Sequence, residues 1–163
     1  MNPGGHLATT LALSVTGYMV TGSAELAAGC FAGGFLIDGD HYLDYLTVEG
    51  QWRRPSPTAF LRYYFTRRNR SAVLPLHSIE LMGMLALLAL VWPRPALLGY
   101  LAGALLHIVL DILINGESTL RQPVLFYSFA YRARMGFSAA RLEVRTVVSS
   151  EAGQAPIRGF FTW

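Results

Sequence analysis

The chain has 163 residues, of which 53% are hydrophobic and only 14% charged, whereas ordinary soluble domains carry about 25% charged residues. This length suits one domain, and the charge deficit, with a mean hydropathy of +0.37, points to a membrane protein. The net charge is +3 and all 13 basic residues are arginine; they flank apolar runs instead of lining a basic stripe on a soluble fold, so no nucleic-acid partner is expected and anionic lipid is the expected neighbour.

Four apolar segments organise the chain, at about 7–20, 24–37, 78–92 and 96–114. Thr21-Gly22-Ser23 reads as a tight turn between the first two. Pro93-Arg94-Pro95 punctuates the second pair, because proline resists helix continuation and suits a helix start. The expected fold is all-α, a membrane-embedded bundle of two helical hairpins. The segments are short for spans, which need about 20 apolar residues, so a soluble helical bundle stays open as the alternative. No arginine precedes Arg53, so the first apolar run lacks the positive n-region of a signal peptide. Cys30 is the single cysteine; it excludes an intrachain disulfide and reads as packing.

Between the hairpins, residues 49–70 are polar and arginine-rich, with Phe60-Leu61-Arg62-Tyr63-Tyr64-Phe65 ahead of Arg67, Arg68 and Arg70. A related stretch, Leu125 to Arg134, follows the second hairpin. Aromatic residues mixed with arginines read as interfacial amphipathic helices with rings at headgroup level. The helical membrane domain is expected over 1–136, and the tail 137–163 contains Val and Thr suited to a short strand. Arginines at the ends away from the two turns, among them Arg121, Arg132 and Arg134, place both termini and the middle loop in the cytoplasm.

The four histidines carry the chemistry. His41 sits in Asp38-Gly39-Asp40-His41, with Asp44 one turn later; His77 has Glu80 three residues on, and His107 has Asp111 four residues on. Residues three and four apart share a helix face. His6 opens the first helix, Asp38, Asp40 and His41 close the second, His77 opens the third, and His107 with Asp111 nears the end of the fourth. At 1.5 Å per residue these lie about 18–25 Å from the far turns, all at the arginine-rich end. Imidazole with carboxylate suits a divalent metal, zinc ahead of manganese or iron. The expected metal set is His6, Asp38, Asp40, His41, His77, His107 and Asp111, with Glu25 at the opposite end as a cap. Read singly, each motif is a satisfied core histidine or a polar helix end; their convergence on one end makes the case. The hairpins are also spaced alike: His6 precedes Asp38 by 32 residues and His77 precedes His107 by 30, which hints at an internal repeat.

At these residues the chain resembles the bacterial inner-membrane metal-dependent hydrolase family (YdjM-like). The matches are Gly5-His6, Asp38-Gly39-Asp40-His41, His77-Ser78, and Gly99-Tyr100 followed by His107 and Asp111, over roughly 5–115. The resemblance implies a helical membrane fold in the inner (cytoplasmic) membrane and a metal-dependent hydrolase, with similarity to zinc-dependent phospholipase C and nuclease-type phosphodiesterases. The chain departs from the family pattern at Ile37, Ala72, Leu76 and Asn115, where proline, histidine, threonine and proline are usual; loss of the histidine leaves room for a single metal or an inactive site. The expected reaction is hydrolysis of a phosphoester or phospholipid, with Asp38 or Asp111 taking a proton from an activated water and Arg67, Arg68 and Arg70 holding phosphate. The rival readings are a non-catalytic membrane protein stapled by a structural metal and a small transporter or ion-binding subunit.

Overall fold

A computed structural model of the chain describes residues 3–53, 55–65 and 69–144. The described residues are helical, with no strand beyond two isolated bridges, Ser71 to Ser138 and Leu120 to Glu143. Helices α1 (Pro3–Thr21) and α2 (Ala24–Gly34) form the first hairpin, α5 (Ile79–Val91) and α6 (Pro95–Thr119) the second. A 3-10 turn, Leu36–Asp38, leads from α2 into α3 (Gly39–Thr47), and α4 is Pro57–Phe65. A second 3-10 turn, Pro75–His77, precedes α5, and α7 (Pro123–Phe126), α8 (Phe129–Arg134) and α9 (Ala139–Leu142) follow α6.

Local chemistry explains the hairpin boundaries. Gly22 turns the chain with φ +67°, and Ser23 caps α2 by accepting from the Leu26 amide at 3.2 Å. Ser78 caps α5 in the same way, through Leu81 N–H at 3.1 Å. Pro95 opens α6, where a missing N–H costs nothing.

The hairpins join along α2 and α6, the most extensive helix contact in the molecule. Small residues make it possible. A Cβ on Gly29 or Gly33 would stand 2.1 or 2.0 Å from the carbonyl oxygens of Ala96 and Tyr100, and one on Gly99 or Gly103 would stand 2.1 or 2.2 Å from those of Leu26 and Cys30. Two small-x-x-x-small ridges therefore interlock backbone against backbone, a device common between membrane helices.

Outward faces are apolar. Leu11, Val15 and Met19 on α1, Met84, Leu87 and Val91 on α5, and Leu98, Leu105 and Leu113 on α6 are all exposed. Among the described residues one helix, over Pro95–Ile114, is long and apolar enough to cross a membrane, at mean hydropathy 2.2, and α5 is apolar but shorter.

The second aromatic-arginine stretch departs from the interfacial helix expected of it. It breaks at Tyr127 into α7 and α8, and Phe126 and Tyr127 join Ala72, Leu74, Ile108, Leu120 and Leu142 in a buried apolar cluster. Arg132 does not face water or lipid; it is fully buried. The reason is hydrogen bonding: its guanidinium donates to the carbonyls of Val73 (3.1 Å), Leu74 (2.8 Å), His77 (3.1 Å) and Phe126 (2.5 Å). Arg67, Arg68 and the strand expected in the tail lie outside the described residues.

Candidate metal centre

The site begins with the segment 70–77, which lies against α3 and carries His77. Three carboxylates one to two turns apart grip its backbone two amides at a time. Glu49 accepts from Arg70 (2.6 Å) and Ser71 (2.7 Å). Asp44 accepts from Val73 (2.7 Å) and Leu74 (3.2 Å). Asp40 accepts from Leu76 (3.0 Å) and His77 (3.3 Å). Arg132 takes carbonyls of the same segment, so most of its polar backbone is satisfied without a strand partner. This rigid mount also holds Leu74 in the left-handed region, at φ +44°.

Asp40 does more than hold backbone. Both its oxygens accept from His77 Nδ1, at 3.0 and 3.1 Å. A carboxylate behind an imidazole fixes its tautomer and orientation, the usual outer support of a metal-binding histidine. Asp40 is therefore placed behind His77 and not among the groups that converge in front of it. His107 is oriented likewise: its Nδ1 donates to the Gly34 carbonyl at 2.8 Å.

With both Nδ1 atoms engaged, Nε2 of His77 and Nε2 of His107 face each other at 3.1 Å. Asp38 Oδ1 lies 3.4 Å from each. Three donors, none with a hydrogen of its own in the neutral tautomers, meet around one point. Positive charge placed among them would satisfy all three. Ligands bound tetrahedrally at about 2.1 Å stand about 3.4 Å from one another, and the three separations here are 3.1, 3.4 and 3.4 Å.

Further donors flank this triangle. His41 Nε2 lies 3.7 Å from Asp38 Oδ1. Asp111 Oδ2 lies 3.3 Å from His107 Nε2, and its Oδ1 accepts from His6 Nε2 at 2.9 Å. The His6 ring stacks on His107 at 3.8 Å, and its Nδ1 has no hydrogen-bond partner among the described residues. Two groups of side chains can each hold an ion: His6, His107 and Asp111, and Asp38, His41 and His77.

Burial gives the site a direction. His6, His77 and His107 are closed off, whereas the side chains of Asp38, His41 and Asp111 are 30%, 16% and 14% exposed. The more exposed edge lies on the side of Asp38, where the Tyr64 ring stands edge-on to His41 at 4.8 Å. Electrostatics outside the long helices follow from the contacts. Burial pushes the Asp38 carboxyl up, but hydrogen bonds from His107 and His77 outweigh it and hold the group well below the usual carboxylate range. Burial disfavours charge on His77, yet Asp38 and Asp40 together lift it to about 9. His41 is lowered, by burial and then by the charge of His77.

Other residues read from the sequence take structural places. Glu80 accepts from Ser78 (3.0 Å) and Ser128 (2.6 Å) hydroxyls and from the amides of Phe129 (2.8 Å) and Ala130 (3.2 Å), tying α5 to α8. Glu25 stands in the first turn of α2, at the opposite end. Arg70 is exposed and held through its backbone by Glu49. Ala72 is buried in the apolar cluster, away from the converging donors. Nothing in the sequence marked Tyr127 as a site residue, yet its buried hydroxyl hydrogen-bonds Asp111. No match to this chain is found among protein-family models, curated proteins or solved structures.

Proposed function

We propose that the protein is a membrane-embedded, metal-dependent hydrolase of phosphoesters, with phospholipids among its candidate substrates. The observation that carries this reading is the meeting of His77 Nε2, His107 Nε2 and Asp38 Oδ1 within 3.4 Å of one another, with both Nδ1 atoms already committed. Zinc suits this donor set, and manganese or iron are alternatives. A divalent cation held there supplies Lewis acidity and lowers the pKa of a coordinated water.

The chain's own groups do the rest. Asp38 turns Oδ1 toward the imidazoles, and its other oxygen is the group to take a proton from water. Asp111 is engaged by His6, His107 and Tyr127, which suits it to hold a cation and balance charge and leaves Asp38 as the proton acceptor. The 30% exposure of the Asp38 side chain favours a site that admits substrate over one that only staples helices, because structural metal sites are closed. The exposed apolar faces of α1, α5 and α6 support a place in the membrane, with the resemblance to inner-membrane hydrolases and the arginine distribution supporting the cytoplasmic side.

The test is turnover of phosphomonoester, phosphodiester and phospholipid-micelle substrates by metal-loaded protein in detergent. Asp38→Asn is expected to lower kcat by about 10²–10⁴-fold. Metal-loaded wild type without activity on any of the three classes would refute the hydrolase reading.

A further inference from the structure

We infer that the site holds two cations, each in a half-site built by crossing the two hairpins, with Asp38 shared between them. The inference rests on the metal reading above and concerns how many ions bind and which residues divide them, independently of turnover.

The two possible ion groups are not arbitrary clusters. His6, from the start of the first hairpin, joins His107 and Asp111 from the end of the second. His77, from the start of the second, joins Asp38 and His41 from the end of the first. Each group is an opening histidine plus a closing pair one helical turn apart, taken from opposite hairpins.

The sequence offsets say that this is a repeat. His6 and His77 are 71 residues apart, Gly29 and Gly99 are 70 apart, Gly33 and Gly103 are 70 apart, and His41 and Asp111 are 70 apart. The glycine pairs contact the partner helix reciprocally: Gly29 and Gly33 meet the backbone at Ala96 and Tyr100, while Gly99 and Gly103 meet it at Leu26 and Cys30. One approximate two-fold relation thus governs both the packing and the donors. A single ion in one group would leave the other triad of donors unused in the same buried end.

Charge points the same way. Asp38, Asp40 and Asp111 place three carboxylates around the site, and one divalent ion offsets two of them. Asp38 Oδ1 is equidistant, at 3.4 Å, from one histidine of each group, so one carboxylate can serve both. Neither hairpin contains a complete half-site, so binding joins them.

The experiment uses the full chain in detergent, stripped with a chelator and reloaded with manganese, read by metal analysis and electron paramagnetic resonance. Wild type is expected to hold about two equivalents showing the exchange coupling of ions about 3.5–4 Å apart. His41→Ala and Asp111→Asn, changed at the partly exposed edge of each half-site, are each expected to hold about one uncoupled equivalent. Wild type with one equivalent, either variant holding none or two, or two equivalents without coupling would overturn the inference, whereas no binding at all would also sink the metal reading. Metal-free variants are checked against metal-free wild type by circular dichroism. If a variant fails that check, His41→Gln or Asp111→Ser replaces it, and the wild-type stoichiometry and coupling decide the matter without any variant.

Discussion

Asp40 offers the sharpest test of how the fold prepares the site, because it touches no converging donor except through His77. In Asp40→Asn the side chain keeps one acceptor oxygen where the carboxylate serves His77 Nδ1 at 3.0 and 3.1 Å and the amides of Leu76 and His77 at 3.0 and 3.3 Å. The new NH2 group confronts a donor whichever way the amide is turned. Removing an outer partner of a metal-binding histidine costs about 10–100-fold in affinity, equivalent to about 1.4–2.7 kcal/mol. The buried donors left without a full acceptor cost about 1–3 kcal/mol of folding stability. The assay is competition for zinc against a chromophoric chelator, beside thermal unfolding of the metal-free protein. Asp44→Asn is the control: it loosens the same segment through Val73 and Leu74 but meets no histidine. The expected result is a stability loss in both variants and a loss of affinity of about tenfold or more in Asp40→Asn alone. Equal affinities in the two variants would refute the claim that Asp40 acts through the His77 ring.

Two further outcomes follow from the packing and the protonation of the site. Gly103→Ala puts a Cβ 2.2 Å from the Cys30 carbonyl, and the expected cost of overpacking is about 1–3 kcal/mol. Gly83→Ala meets nothing within 4 Å and is expected to gain up to about 1 kcal/mol from helix propensity; denaturant titration of both variants checks the contrast, and equal effects would remove the interlocking-ridge account. Metal binding is also expected to depend on pH. His77 is raised to about 9 in the metal-free protein, so below that pH a bound ion must displace its proton, and apparent affinity falls about tenfold per unit of pH lowered from that group alone. The linkage sign for the metal-free protein is opposite: stability contributed by the raised His77 is complete below about 6.5 and is lost as pH rises through about 9. Chelator competition and melting curves at pH 6, 7 and 8 measure both, and a pH-independent affinity would contradict the assignment of His77.

The sequence made the four long helices legible because their boundaries are chemical: apolar runs ended by Gly22 and by Pro93 and Pro95. It made the meeting of the histidines legible because up-down connectivity returns every second helix end to the same level. Other features had no one-dimensional sign. Asp44 and Glu49 read as acidic neighbours of a histidine or as loop polarity, since nothing local says that amides 21 to 30 residues away will seek them. Arg132 sits among aromatic residues and resembles an interface anchor; only the turned-in carbonyls of 73, 74, 77 and 126 explain its burial. The glycine ridges were visible as letters, but their partner helix becomes evident only when both hairpins are in place.

The glycine contact and the tautomer of His107 are one device. His107 follows Gly103 by four residues, on the same face of α6. Its Nδ1 reaches the Gly34 carbonyl at 2.8 Å because α2 approaches α6 to backbone contact at Gly33 and Gly103, one helical turn away. A side chain at either glycine would force the helices apart, stretch that hydrogen bond, and free the His107 proton to move to Nε2. The lone pair aimed at His77 and Asp38 would then be lost. Close packing in the middle of the bundle thereby decides the protonation of a ring at its end, so Gly103→Ala should weaken metal binding as well as stability even though it lies a full turn from the nearest donor.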